Sequence, residues 1–289
     1  MEVILGDTPV GPDHPVYCIG EVGINHQGDI GLVEKFFQMA VLHEWDCIKF
    51  QKRNADLWPE TPYFSKTFNS EMTYREHRRR LEFGLDEYNQ INEWSIQYRI
   101  PWSVSVWDNA SVQFMMLGID GGWDIPFIKI PSACLTDDEL LVATRHTHVP
   151  IVLSTGMSTI EQIDHAVDIL GGNNLILLHC VSTYPADNSE LNLKCIPMLM
   201  DRYNIPIGYS GHEPGLQGSL FAVAYGACVL ERHITYDRTA PGSDHAASLE
   251  YEGQRRLVRD AKLHHMMKGT GQKVVYESEI PVMNKLRRV

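Results

Sequence analysis

Two histidines and one acid late in the chain are spaced for metal chemistry. His212 and His233 each sit just past a short apolar run, in PIGYSGHEPG (206–215) and CVLERHITYD (228–237), and Asp244 follows in a loop beside Gly242 and Ser243. A metal ligand must present a lone pair in a fixed direction, which the rims of rigid strands do well. A histidine at a strand end is also a common hydrogen-bonded structural residue, so the pair gains meaning only from its surroundings. Two lysines supply them. Lys49 lies within CIKFQ (47–51) and Lys129 within FIKI (127–130), both among apolar residues where an unpaired ammonium is disfavoured. Each therefore expects an anion; the competing reading is a structural ion pair with an acid on a neighbouring strand, such as Glu21 or Glu231. With the hydroxyls of Ser132, Ser154 and Ser210, the set describes a cationic, donor-rich cup for a small molecule bearing phosphate and carboxylate groups.

The elements that must position these residues alternate along the chain. Apolar, strand-like runs fall at 17–25, 47–51, 102–106, 127–130, 151–155, 175–180, 206–210 and 228–234, and segments of helical periodicity separate them, several opened by Asp, Ser, Thr or Asn. Eight strand–helix units without a break in composition predict a (β/α)8 TIM barrel as a single domain over 17–289, with residues 1–16 forming a short hairpin that plugs its bottom. Active sites of such barrels lie at the C-terminal strand ends. Those ends carry Glu21, Lys49 with Gln51, Ser105, Lys129 with Ser132, Ser154, Ser182 with Tyr184, Ser210 with His212, and Glu231 with His233. Buried polar groups cost stability unless paired, so polarity repeated at every strand end points to function. The stretch 53–80 stands outside the rhythm, and its run YREHRRR (74–80) reads as a solvated helix face.

Composition narrows the function classes. In 289 residues, 25 Lys and Arg against 37 Asp and Glu leave a formal charge of −12, which opposes binding to nucleic acid or an anionic membrane surface, so an anionic substrate must be drawn in by local cations. No apolar run approaches the roughly 18 residues of a spanning helix, and the N-terminus MEVILGDTPV lacks the form of a signal peptide; a cytoplasmic location is expected. The six cysteines are scattered without a CxxC pair and read as reduced thiols.

Taken together, GEVGINHQGD (20–29), IKFQK (48–52), IKIPSA (128–133), LSTGMS (153–158), LLHCVSTYP (177–185), IGYSGH (207–212), LERHIT (230–235) and PGSDHAASLE (241–250) resemble the sialic acid synthases, the NeuB-type enzymes, from about Val16 to Val289. The resemblance implies metal-dependent condensation of phosphoenolpyruvate with an aldose, N-acetylmannosamine or a related N-acylated hexosamine, to a sialic acid-like product with release of phosphate. It implies that Lys49 and Lys129, with Ser132, Ser154 and Ser210, hold phosphoenolpyruvate. It makes His212 and His233 ligands of a divalent metal, commonly manganese, with magnesium or cobalt as alternatives. Glu21, Gln51, Tyr184 and Asp244 match residues near the sugar, and Glu21 is the candidate to handle the proton of an attacking water. The family's antifreeze-like C-terminal domain is expected to be missing, and with it part of the homodimer that the resemblance implies. Cys134 stands where the family often has a glutamate. Two other readings compete: a Schiff-base aldolase with Lys49 or Lys129 as nucleophile, and a non-catalytic barrel that binds sugar or phosphoenolpyruvate.

Overall fold

The computed structural model describes residues 2–288. Two short strands, β1 (Val3–Leu5) and β2 (Thr8–Val10), pair antiparallel as the N-terminal hairpin. Eight further strands run parallel and close on themselves in chain order, β3 (Tyr17–Gly23), β4 (Cys47–Lys52), then, past the hairpin β5 (Pro62–Ser65) and β6 (Ser70–Thr73), β7 (Trp102–Val106), β8 (Ile128–Ile130), β9 (Ile151–Ser154), β10 (Leu175–Cys180), β11 (Ile207–Gly211) and β12 (Val229–His233). This is the (β/α)8 barrel expected from the sequence, and all eight apolar runs became its strands.

Helices α1 (Ile30–His43), α2 (Tyr74–Leu81), α3 (Leu85–Tyr98), α4 (Asn109–Asp120), α5 (Asp138–Arg145), α6 (Ile160–Leu170), α7 (Cys195–Tyr203), α8 (Gln217–Ala224) and α9 (Tyr251–Met267) follow the strands, and α10 (Ile280–Leu286) ends the described chain. Several start where a short polar side chain can accept from the first turn's unpaired backbone N–H groups. Asp29, Thr73, Asp108 and Asp137 do so, and Thr159 forms a reciprocal box with Gln162.

Strand period two sorts side chains between two cores. Outward residues such as Ile48, Phe50, Trp102 and Val104 pack against Phe36 and Phe37 of α1 and Tyr88 of α3. Inward residues of the lower half, Tyr17, Ile19, Cys47, Phe127, Val152, Ile176, Leu178 and Val229, meet Val3, Leu5 and Val10 of the hairpin, which plugs the barrel floor as expected. Gly208 faces this tight layer, where an added Cβ would come within 2.6 Å of Leu178 and 2.7 Å of Val229. All six cysteines are free thiols. Among the described residues no helix is long and apolar enough to cross a membrane.

The run 74–80 is the helix expected, but not uniformly a solvated face. Arg75, Arg79 and Arg80 pair with Glu60, Asp56 and Glu76, whereas Arg78 turns against Tyr74 and Trp58.

Candidate active site

Two residues further along, the interior turns polar, with Glu21, Lys49, Lys129 and Glu231 on β3, β4, β8 and β12 and Ser105, Ser154 and Ser210 on β7, β9 and β11. A cavity of about 290 Å3 opens at the C-terminal strand ends, lined by Glu21, Lys49, Gln51, Lys129, Ser132, Ser154, Ser182, Tyr184, Ser210, His212 and His233. These are eleven of the twelve residues singled out from the sequence. The twelfth, Asp244, stands immediately beside them, its Oδ2 3.8 Å from His233 Nδ1. Strand register brings the charged set together: Glu21 lies opposite Lys49 across β3 and β4, His233 opposite Glu21 across β12 and β3, and Ser210 opposite Glu231 across β11 and β12.

Both lysines are almost fully buried, 1% and 2% exposed, and both have found carboxylates, as the competing ion-pair reading required. They are not equally satisfied. Lys49 Nζ lies 2.5 Å from Glu21 Oε2 and 3.6 Å from Glu231 Oε2, and donates to Ser105 Oγ at 2.7 Å. Among the described residues Lys129 Nζ has only Glu231 Oε1, at 3.5 Å. Burial opposes both ammonium groups; around Lys49 the acids outweigh it and raise the pKa, whereas around Lys129 burial prevails over Glu231 and the pKa is lowered. Lys129 is thus the cation with capacity left for an incoming anion. Two lysines facing two carboxylates also leave the cup with no surplus charge of its own.

Several buried polar atoms at the cavity lack a protein partner among the described residues: Ser154 Oγ, Trp107 Nε1 and His233 Nδ1. Native interiors rarely leave such groups unpaired, so each is a point at which a water or a ligand can be received. His212 Nδ1 donates to the Val181 carbonyl (2.8 Å), which leaves Nε2 with a lone pair. Burial, with His233 adding to it, lowers the His212 pKa to about 3, so its ring is neutral. The two imidazoles lie 5.8 Å apart, centroid to centroid. Two neighbouring rings, each with an unengaged nitrogen, fit a divalent cation held by two histidines with open positions. Among the described residues no cluster of three or more His, Cys, Asp or Glu side chains forms a complete cage.

The surrounding loops are pinned from outside. Arg232, pointing away from the barrel axis, donates to Glu213 Oε1 (3.0 Å) and to the Gly215 carbonyl, and Tyr209 donates to Glu213 Oε2 (2.9 Å), which holds the turn carrying His212. Asn25 donates to the Ile234 carbonyl and to Ser248 Oγ, tying the β3 end to the loop that carries Asp244. At Gly156 an added Cβ would fall 2.2 Å from Ser182 Oγ and 3.0 Å from Ser132 Oγ, so only glycine lets these hydroxyls converge. Cys134 sits outside the cup: its thiol lies against the Trp107 carbonyl (3.7 Å), and burial pushes its pKa up to about 12.

Glu231 and Ser105, read from the sequence as polar strand-end residues without a catalytic or binding role, prove to be the acid shared by both lysines and the hydroxyl that accepts from Lys49. Arg53 escaped the sequence reading as a site residue. Arg53 hydrogen-bonds Gln51 Oε1 and stacks over Trp107 at 3.7 Å. A signal existed: Lys49, Gln51 and Arg53 continue the period of two past the strand end. Burial opposes the charge on Asp244, but His233, Ser243, Arg53 and Arg78 together leave its pKa lowered.

Fold and site define the class: a (β/α)8 barrel enzyme with its chemistry at the C-terminal strand ends. The profile of the NeuB family matches residues 36–273. The chain is 36% identical over 285 residues to human N-acetylneuraminate-9-phosphate synthase, covering 96% of this chain and 78% of that one. It is 31% identical over 298 residues to N,N'-diacetyllegionaminic acid synthase of Legionella pneumophila, covering 99% and 82%. The solved structure of N-acetylneuraminic acid synthetase from Leptospira borgpetersenii, in complex with citrate, superposes with a TM-score of 0.85 at 31% identity, covering 100% of this chain and 98% of that one. The chain belongs to the NeuB family.

Proposed function

We propose that the chain joins phosphoenolpyruvate to the aldehyde of an open-chain N-acylated hexosamine, such as N-acetylmannosamine, and releases phosphate to give a nonulosonic acid. One observation carries the reading: a single cavity sets two buried lysines and a group of serine hydroxyls against two histidines with unengaged ring nitrogens. The names of the relatives agree on the class of product and divide over whether it bears a phosphate.

In this reading Lys49 and Lys129 neutralise the phosphate and carboxylate of phosphoenolpyruvate, and Ser132, Ser154, Ser182 and Ser210 donate hydrogen bonds to their oxygens. His212 and His233 hold a divalent metal, manganese first and magnesium or cobalt as alternatives, which when bound polarises the aldehyde oxygen as a Lewis acid. C3 of phosphoenolpyruvate bonds to the aldehyde carbon, the aldehyde oxygen gains a proton, water adds at C2, and phosphate leaves from C2. The Glu21 carboxylate, oriented by the Gln51 amide at 2.9 Å, takes the proton of that water. Asp244, Gln51 and Tyr184 hold sugar hydroxyls.

The test is release of inorganic phosphate from phosphoenolpyruvate with manganese across hexosamines and pentoses, with the product identified by mass spectrometry. Turnover with an N-acylated hexosamine is expected, and inactivity over the whole panel would sink the proposal. The lowered pKa of Lys129 favours one rival, an imine-forming aldolase. Borohydride with pyruvate separates the two, because a covalent adduct on Lys129 belongs only to the aldolase.

A further inference from the structure

The sheet stops short of fixing the two histidines of the cup to each other. Between β11 and β12 the register pairs Tyr209 with Leu230, Ser210 with Glu231 and, last, Gly211 with Arg232. His212 lies one residue past that final pair, so the ladder no longer sets its distance from His233, which remains on β12 opposite Glu21. The residues beside the histidines take over: Glu213 follows His212, Arg232 precedes His233, and their side chains meet behind the strands at the first turn of α8.

Arg232 Nη1 donates to Glu213 Oε1 at 3.0 Å and Arg232 Nη2 donates to the Glu213 carbonyl at 2.9 Å, so the guanidinium grips both the side chain and the backbone of the residue after His212. The same carboxylate accepts from the Ser219 backbone N–H (2.9 Å), Ser219 Oγ (2.7 Å) and Tyr209 Oη (2.9 Å). Glu213, Ser219 and Tyr209 are 0% exposed and Arg232 is 1% exposed. Two glycines make room for this cluster. A Cβ on Gly211 would fall 2.7 Å from Glu213 Oε2 and 2.8 Å from Arg232 Cδ, and one on Gly218 would fall 2.9 Å from Glu213 Cγ.

A buried ion pair is a poor device for stability alone, because desolvation of the two ions offsets most of their attraction and apolar residues of similar volume serve a core as well or better. What it supplies is direction, since charge-assisted hydrogen bonds of fixed geometry specify one position for the turn where apolar packing would let it slide. His212 is otherwise held by Nδ1 at the Val181 carbonyl (2.8 Å) and by its own carbonyl, which accepts from the Ala186 N–H (3.0 Å). Both of those bonds tie the turn to the loop after β10. Among the described residues, Arg232 alone hydrogen-bonds the turn to β12, the strand that carries His233. We propose that Glu213 and Arg232 are positioning residues for the two-histidine centre, fixing where His212 Nε2 stands relative to His233 and thereby setting the affinity for a divalent cation. The assignment rests on the metal reading of His212 and His233 given above.

Manganese titrated into the protein and followed by the electron paramagnetic resonance of the free ion reads the centre without turnover. Glu213→Gln is expected to raise the Kd for manganese about 10-fold to 100-fold, the usual effect of removing a residue that orients a ligand. The double variant Glu213→Met with Arg232→Met separates positioning from packing. It removes both charges together, so it should melt within a few degrees of the parent, yet its Kd should rise by a similar factor. Tyr209→Phe loses one hydrogen bond to the carboxylate and keeps its ring, and should raise Kd by about 2-fold to 10-fold. If circular dichroism shows the double variant unfolded, Tyr209→Phe decides by itself. Parent-like affinity in any folded variant of the three overturns the role, whereas a parent that binds no manganese removes the two-histidine centre and the role with it.

Discussion

The lower and upper halves of the barrel interior share the same strands and lie two residues apart, yet their chemistry is opposite. Ile19 is followed by Glu21, Cys47 by Lys49, Phe127 by Lys129, Val152 by Ser154 and Val229 by Glu231. Below, inward side chains close a dry layer against the hairpin, and burial of apolar surface stabilises the closed sheet. Above, the same inward positions carry charges whose desolvation the fold must offset by mutual pairing. The pairing is incomplete: among the described residues Lys129 has a single distant carboxylate, and Ser154, Trp107 and His233 keep unpaired atoms. One end of the barrel interior is built for stability, and the other gives some of it up to hold a ligand.

Five substitutions would break or sharpen that contrast. In the upper half, His212→Ala and His233→Ala should each lower kcat/KM by on the order of 1000-fold or more while moving the thermal midpoint by only a few degrees. Manganese-dependent turnover retained in both would refute the site. In the lower half, Phe127→Ala should do the reverse, costing about 3–5 kcal/mol in chemical denaturation while leaving KM for phosphoenolpyruvate near its original value. If the variant is as stable as the parent, that layer is not the structural half.

Glu231→Gln lies on the boundary and should affect both properties. It leaves two buried ammonium groups without their shared acid, for about 3 kcal/mol of lost stability. Burial pushes the Glu231 carboxyl up, but Lys129 and Lys49 outweigh it, so its pKa in the folded protein lies below the ordinary 4.5. Its stabilisation is therefore complete above about pH 4.5 and is lost as the pH falls through the lowered value. Denaturation curves collected across that acid range should be flatter for Glu231→Gln than for the parent; parallel curves would show that the pairing contributes nothing. The smallest effect is expected at Arg79→Ala, whose partner Asp56 is exposed, with a change under about 0.5 kcal/mol and unaltered turnover.

Much of this was legible in the sequence because it is local. Apolar runs of strand length marked all eight barrel strands, and short polar residues marked helix starts such as Asp29 and Thr159. Eleven of the twelve candidate residues line one cavity because each closes a strand, and in a parallel barrel all strands end on the same face. Arg53 and Arg78 were harder to place. Each sits in a segment that makes sense by itself, a strand end and a basic helix, and nothing local separates Arg78 from Arg75, Arg79 and Arg80.

The sequence by itself determined which residues are inward and how far along each strand the interior turns polar, because strand period and apolar patterning are properties of a few consecutive residues. The tertiary structure alone decided who partners whom. That Glu231 serves both Lys49 and Lys129 follows from β12 closing onto β3, a contact between residues about two hundred positions apart. That Arg78 faces a cavity shared with Ser243 follows from α2 packing beside the loop after β12. Such pairings depend on barrel closure and helix placement, and no local pattern carries them.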